Sequence, residues 1–171
     1  MVAARLASEW CALGAEVTWL AAGTARTQRQ TAETAIRKVP LRAWNGIERY
    51  FGVPYPIPGI SAMTAIWRAV CAADAVVLHD SLYVSNIAAM IVARTAHKPV
   101  LIIQHIGAVP YENWILSRLM AIANRLIASP MLRSASQLVF ISELAATHFS
   151  SVPLRRTPRI LFKAPWPRLC R

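Results

Sequence analysis

The chain has 171 residues, of which 56% are hydrophobic and 16% are charged. This length predicts one domain or one half of a two-domain protein, and the apolar composition excludes a disordered or coiled-coil protein. The net charge of +11 is uneven, because residues 1–112 carry ten basic and seven acidic side chains whereas residues 113–171 carry nine and one. Charge concentrated toward the C-terminus predicts a basic tail rather than a folded nucleic-acid-binding face.

Hydrophobic periodicity predicts a helix at the N-terminus, followed by a mixed region up to residue 58. Val2, Leu6, Trp10 and Leu13 form one apolar stripe, and Gly14 is expected as the left-handed C-cap. A strand is predicted over 16–22 and a short one over 39–41, with an exposed loop or loose helix over 24–38. A short helix is predicted through Trp44, Ile47 and Phe51, ending before the proline-rich segment 53–58.

From residue 60 onward, predicted helices and strands alternate. The strands over 74–79 and 99–105 are continuously apolar, which is typical of parallel strands covered on both faces. This alternation predicts a doubly wound parallel sheet of the α/β class. The other predicted strands cover 137–141 and 159–162, and the helices cover 61–72, 81–95, 113–128 and 143–149. In helix 61–72, Ser61 is the expected N-cap and the expected inward residues are Met63, Ile66, Trp67 and Val70.

Cysteine usage and hydropathy exclude further classes of protein. Cys11, Cys71 and Cys170 are far apart in the sequence, which argues against a disulfide framework or a structural zinc site and fits a reducing cytoplasm. The longest apolar runs are far shorter than the ~20 residues that span a bilayer. The N-terminus lacks the pattern of an export signal. We therefore expect a soluble or surface-bound cytoplasmic protein.

Candidate functional residues follow the predicted strands, since ligands of doubly wound sheets bind beyond the carboxyl ends of the strands. His105 ends one buried strand, and Gly107 after it would let a ligand approach the backbone. The imidazole could donate a hydrogen bond to a sugar hydroxyl or a phosphate oxygen, or it could simply cap loop carbonyls. His79 and Asp80 end the preceding strand. Asp80 could act as a base or a hydroxyl acceptor, but capping of the following helix is the simpler interpretation.

A third candidate lies at the start of the last predicted helix. Ser142 is an efficient N-cap, and Glu143 would complement the helix dipole there, although the same helix start could bind an anion. No metal site is expected from the two histidines and Asp80, because no metal-ligand spacing supports it. The glycine-rich phosphate loops and the G-x-S-x-G elbow are missing from the sequence.

The predicted helix over 113–128 has an unusually wide apolar stripe. Trp114 lies at its start, with Arg118 and Arg125 on its polar side. A core helix is the favoured interpretation. The alternative is a helix partly presented to a membrane or to a lipid acceptor.

Five segments resemble, in order, stretches typical of glycosyltransferase family 4 (group 1). Segment 2–20 is similar to "LA..LA..GHEVTVLT", segment 73–80 to "aDvvh.h", and segment 98–107 to "kPvv.t.HG". Segment 134–143 is similar to "r.aD.vi.vSe", and segment 159–162 to the opening of "v.vipNGvD". None is specific alone, but their order and spacing make the resemblance fairly strong.

The resemblance implies the N-terminal, acceptor-side half of an enzyme with the GT-B fold, built on a Rossmann-like sheet. It implies transfer of a sugar from a nucleotide-sugar donor to a carbohydrate or lipid-linked acceptor, with retention and without a metal or other cofactor. His105 corresponds to the family histidine that lies by the reacting sugar. His79, Asp80, Gly107, Ser142 and Glu143 are then candidates for acceptor binding or loop roles. A cytoplasmic location, with contact at the inner face of the membrane, is expected, and nucleic acid is not an expected partner.

The sequence also departs from the family pattern. The family's first strand and Gly-Gly loop precede the first helix, and "NGVD" and a donor-binding domain follow the last matching strand; neither is present here. We therefore expect residues 1–162 to form a partial domain lacking its central strand, and residues 163–171 to form a basic tail outside the fold. Such a fragment is expected to be inactive alone. The predicted strands on either side of the missing central strand, 16–22 and 74–79, are expected to pair directly. Otherwise the chain is expected to be unstable and insoluble. The alternative function is a non-catalytic α/β domain whose basic tail binds nucleic acid or anionic lipid.

Overall fold

The computed structural model describes residues 2–22, 36–44, 46, 56–105, 113–150 and 159–161. The predictions made for Ile47, Phe51, Gly107 and the tail 163–171 lie outside these residues. The chain divides into two compact units. The first consists of Met1–Ala73 and Tyr83–Val92, and the second of Asp74–Leu82 and Ala93–Arg171.

The first unit begins with helix α1, Val2–Ala12. As predicted, Gly14 adopts a left-handed conformation after the helix, with φ of 88°. Leu13 is 84% exposed, so the apolar stripe of α1 ends before it. Strand β1, Thr18–Ala22, pairs in parallel with β2, Arg37–Leu41. Strand β2 starts two residues earlier than predicted. The loop or loose helix predicted over 24–38 is therefore wrong for Arg37 and Lys38.

Two short strands and a helix complete the described N-terminal part of this unit. Strand β3, Ala43–Trp44, pairs antiparallel with β4, Ile57–Pro58. Trp44 therefore lies in a strand, not in the predicted helix. Helix α2, Ile60–Ala72, buries Ala62, Ile66 and Val70.

Two predictions for helix α2 are wrong. Its N-cap is Gly59, without a side-chain cap hydrogen bond, rather than Ser61. The carbonyl of Gly59 accepts from the backbone N–H groups of Ala62 and Met63, so the helix starts one residue before Ser61. Trp67 is 56% exposed, because it follows the buried Ile66 directly and so lies about 100° away around the helix.

The second unit contains a four-stranded parallel sheet in the order β5-β6-β7-β8. The strands are β5, Val76–His79; β6, Val100–Gln104; β7, Gln137–Phe140; and β8, Arg159–Leu161. Ile102, Leu138 and Phe140 are fully buried, and the Phe140 ring stacks on Phe149 with centroids 6.2 Å apart. The apolar strands thus form the parallel core that the sequence predicted.

The connections after β5 and β6 differ from the predictions. Helix α3, Val84–Thr95, starts three residues later than expected, and the boundary between the two units falls within it. After β6, helix α4, Trp114–Ala123, continues through a π turn, Asn124–Ala128, into helix α5, Ser129–Ser134. This continuous helix extends beyond Ala128, where the sequence predicted its end. The last helix, α6, spans Glu143–His148.

The wide apolar helix is largely exposed. The segment Trp114–Ser134 has the length and composition to cross a membrane, and only 17% of its most apolar window is buried. A core helix of a soluble protein passes the same test of length and composition, but it would be mostly buried. The prediction that this segment is a core helix is therefore wrong.

The class of fold is confirmed. The protein is a mixed α/β protein with parallel sheets, as a Rossmann-like domain requires. Within the first unit the described strands form a parallel pair and an antiparallel pair, and within the second they form the four-stranded parallel sheet.

Candidate functional site

The candidate residues in the second unit follow three neighbouring strands at one edge of the sheet. His79 lies opposite Ile103 in the register of β5 and β6, and Gln104 lies opposite Phe140 in that of β6 and β7. Since all three strands are parallel, their carboxyl ends meet at this edge. His79, Asp80 and His105 therefore lie close together at this edge, a grouping that the sequence alone did not establish.

Two histidines meet directly at this edge. Nδ1 of His79 lies 2.9 Å from Nε2 of His105, and the ring centroids are 5.2 Å apart with an interplanar angle of 33°. At this distance one ring nitrogen carries a proton and donates, while the other accepts. The pair can therefore hold its hydrogen bond while both rings are neutral, but not once both rings carry two protons.

Asp80 joins the ends of β5 and β6. Its backbone N–H donates to the Ile103 carbonyl at 3.0 Å, which extends the sheet pairing by one residue. Its φ is then 64°, in the left-handed region, which Asp tolerates better than most residues. From there Oδ1 accepts the backbone N–H of His105 at 2.8 Å. Asp80 thus fixes the backbone that carries His105. Helix α3 starts at Val84, so Asp80 and Ser81 do not occupy the N-cap position predicted for them.

Burial favours the neutral form of His79. The pKa of His79 is lowered from its usual value of 6.5, mainly because burial disfavours the charged ring and further because His105 lies beside it. Asp80 opposes this shift, since its carboxylate favours the protonated ring. A neutral His79 can still donate or accept the hydrogen bond that the two rings share.

Comparison with protein families identifies the chain. Residues 1–163 match the family described as Glycosyl transferase 4-like domain. The chain belongs to this family. No curated protein and no solved structure matches it. The resemblance read from the sequence is confirmed, and the histidine pair lies in a domain of glycosyltransferase type.

One buried residue of this glycosyl transferase 4-like domain was missed from the sequence. Ser81 is fully buried, and its Oγ has no hydrogen-bond partner within the described part of the chain. The sequence suggested only a helix-capping role for it. In the sequence, His79, Asp80 and Ser81 simply follow an apolar run. Nothing in that pattern indicated that Ser81 would be more buried than His79 and Asp80.

Ser142 caps a helix, as predicted. Its backbone is extended, and its Oγ accepts the N–H of Ala145 at 3.2 Å. Glu143 occupies the first turn of α6 and is exposed. The serine oxygen is therefore engaged within its own helix, and α6 has only six residues. These contacts give Ser142 a structural role.

The glycosyl transferase 4-like domain shows no metal cluster in its described residues. No group of three or more His, Cys, Asp or Glu side chains there is arranged to hold a metal ion. Within the same residues, Cys11 and Cys71 are free thiols.

Proposed function

We propose that this chain is the acceptor-side part of a retaining glycosyltransferase. The reaction would move a sugar from a nucleotide-sugar donor to a carbohydrate or lipid-linked acceptor. The observation that carries the proposal is the His79–His105 pair, which Asp80 holds at the carboxyl edge of a parallel sheet in a glycosyl transferase 4-like domain. No step is assigned to a metal or another cofactor, and the nucleotide sugar acts as co-substrate.

The geometry supports a role for His105 in contact with the substrate. Its Nε2 is engaged with His79, while its Nδ1 makes no hydrogen bond within the described residues. If His79 donates, His105 carries its proton on Nδ1 and offers an N–H to a sugar oxygen. If His105 donates instead, Nδ1 offers a lone pair to an acceptor hydroxyl. The tautomer of the pair decides which of these His105 provides.

His79 and Asp80 would act through His105 as positioning residues. In the transfer, the bond from the anomeric carbon to the diphosphate oxygen breaks, a bond to the acceptor oxygen forms, and that oxygen loses its proton. A fixed imidazole contributes by orienting one of these oxygens and by hydrogen bonding to charge that develops in the transition state. The two contacts to His105, one at the ring and one at the backbone N–H, supply that fixation.

The proposal can be tested in a chimera that joins this chain to the nucleotide-sugar-binding domain of another family member. Sugar transfer is followed with labelled donors, and the anomeric configuration of the product is read by NMR. We expect retention. We expect His105→Ala to lower kcat by about 100-fold or more, as is usual for a positioned hydrogen-bonding or acid–base group.

His97→Asn is the matched control. His97 is an exposed histidine after α3 with φ of 54°, a conformation that Asn also adopts. The control should keep the kcat of the parent chimera. Unchanged turnover in His105→Ala, together with a lowered melting temperature, would reduce His105 to a structural role. An inverted product would contradict the retaining mechanism.

A further inference from the structure

The long helix of the second unit presents an exposed apolar face. Ile115, Leu119, Ile122 and Leu126 are each more than half exposed. Their spacings of four, three and four residues place them along one side of the helix. Trp114, at the start of α4, is also exposed. A contiguous apolar face of this kind on a protein surface is typical of a contact with another molecule or a membrane.

A basic pocket lies beside this face. It has a volume of about 370 Å³, and its polar and charged lining comes from the long helix and the end of α6. Three of the lining side chains can be cationic: Arg125, Arg133 and His148. Asn124 and Ser129 add polar groups. Such a lining suits an anion with several acceptor oxygens.

The charge of the helix is unbalanced. Trp114–Ser134 contains three arginines and no acidic residue. Neither Arg125 nor Arg133 forms an ion pair with a carboxylate among the described residues. Guanidinium groups bind phosphate with two parallel hydrogen bonds, which a carboxylate in the pocket would otherwise occupy. The pocket is therefore complementary to a phosphate group.

The π turn explains how two distant arginines reach one pocket. Arg125 and Arg133 are eight residues apart, which in a continuous α-helix separates two side chains by about 80°. The π turn at Asn124–Ala128 takes up one extra residue. The separation then becomes that of residues seven apart, about 20°. The backbone N–H and the Oγ of Ser129 both donate to the Asn124 carbonyl and hold this turn.

We propose that the helix Trp114–Ser134 docks on an anionic lipid surface, with the pocket binding the phosphate of a lipid head group. Arg125 follows Ile122 by three residues, so the pocket adjoins the apolar face on the helix surface. A phosphate bound there would lie at the same level as the apolar side chains. That arrangement matches a helix lying in the membrane interface, with apolar residues among acyl chains and basic residues at the head groups. The inference concerns a partner and does not depend on sugar transfer.

The docked arrangement would place the second unit at an anionic membrane surface. The helix does not cross the bilayer in this proposal, because Met131 and Leu132 near its end are buried in the second unit. The source of the phosphate is a lipid rather than a soluble ion, because the pocket and the apolar face share one helix.

Flotation of the full chain with lipid vesicles tests the proposal. Vesicles of phosphatidylcholine are compared with vesicles that also contain phosphatidylglycerol, and binding is expected only to the latter. Arg125→Gln combined with Arg133→Gln should weaken binding about 25-fold, since each basic residue near such a surface contributes about fivefold. Leu119→Gln combined with Leu126→Gln should weaken it at least about 10-fold. Circular dichroism checks that both variants fold.

Matched controls separate this site from general attraction of charge. Arg5→Gln combined with Arg37→Gln removes two exposed arginines of the first unit and should change binding by less than about threefold. Equal losses in this control and in the pocket variant would overturn the proposal. So would binding that vanishes when Lys163, Arg168 and Arg171 are changed to Gln, because the tail would then carry it. A third outcome would also overturn the proposal of a lipid surface. If inorganic phosphate stabilises the parent chain against thermal unfolding but the chain does not bind vesicles, the pocket binds a soluble anion.

Discussion

Asp80 combines a backbone conformation and a side-chain contact that few residues could supply together. Its left-handed φ lets the chain turn sharply after β5 while its carboxylate reaches the backbone N–H of His105. Asn can adopt the same conformation and can also accept this hydrogen bond. Gly can adopt the conformation but has no acceptor, and Ala has neither property.

This difference predicts an order of stability among Asp80 variants. Asp80→Asn should be close to the parent, Asp80→Gly should be intermediate, and Asp80→Ala should lose about 2–3 kcal/mol through strain and the lost hydrogen bond. Denaturant unfolding gives the free energies. If Asp80→Gly and Asp80→Ala lose the same free energy of unfolding, the backbone conformation contributes nothing at this position. If Asp80→Gly is as stable as the parent, the hydrogen bond of the carboxylate contributes nothing.

The lowered pKa of His79 predicts a pH dependence of stability. The unfolded chain binds a proton on this ring near pH 6.5, whereas the folded chain binds it only at lower pH. The free energy of unfolding should therefore fall as the pH drops from about 7 to about 5, and the contribution of His79 should be restored above its unfolded pKa. His79→Gln should show a smaller fall over the same range. Identical pH profiles of melting temperature would contradict the shift.

At the level of single residues, sequence reasoning located the site but not its contacts. The histidines were predicted correctly at strand ends, because strand boundaries follow from the apolar runs that precede them. The contact between the two rings could not be predicted, since it depends on the register of β5 against β6. The contact of Asp80 with His105 could not be predicted for the same reason, because the two residues are 25 positions apart and follow different strands.

Helix starts provide a matched pair of serines. Ser142 accepts a hydrogen bond at the start of α6, whereas Ser61 lies inside α2 and does not cap it. Ser142→Ala should lower stability by about 1 kcal/mol, because a backbone N–H loses its partner. Ser61→Ala, at an exposed helical position, should change it by less than about 0.5 kcal/mol. Thermal or urea unfolding measures both, and a larger loss at Ser61 would reverse the assignment of caps.

The long helix shows how one proline changes what a sequence predicts. Pro130 has no N–H, and its ring would clash with the carbonyl four residues earlier in a regular α-helix. That rule favours a helix end before Pro130, close to the end at Ala128 that the apolar pattern predicted. The π turn immediately before it widens the helix and lets the helix continue to Ser134. Met131 and Leu132 beyond the proline are buried, and their tertiary packing is not visible in local periodicity.

At the scale of the whole molecule, the class of fold followed from the sequence but the sheet arrangement did not. Continuous apolar runs predicted β5 and β6 as buried parallel strands, because such strands need cover on both faces. Which strands share a sheet depends on pairing between distant segments. The order β5-β6-β7-β8 within the second unit could therefore not be predicted from a local pattern. Exposure of the long helix was missed because a wide apolar stripe usually indicates burial.

The exposed face of the long helix also governs how the protein should behave during purification. Without lipid, the side chains of Leu119 and Leu126 remain in water, and burial of each is worth up to about 1.5–3 kcal/mol. Copies of the chain should therefore self-associate reversibly in detergent-free buffer and separate when micelles cover this face. Gel filtration with light scattering at several concentrations should show that shift. Leu119→Gln combined with Leu126→Gln should elute as a monomer with or without detergent, and a detergent-independent oligomer of this variant would place the association elsewhere.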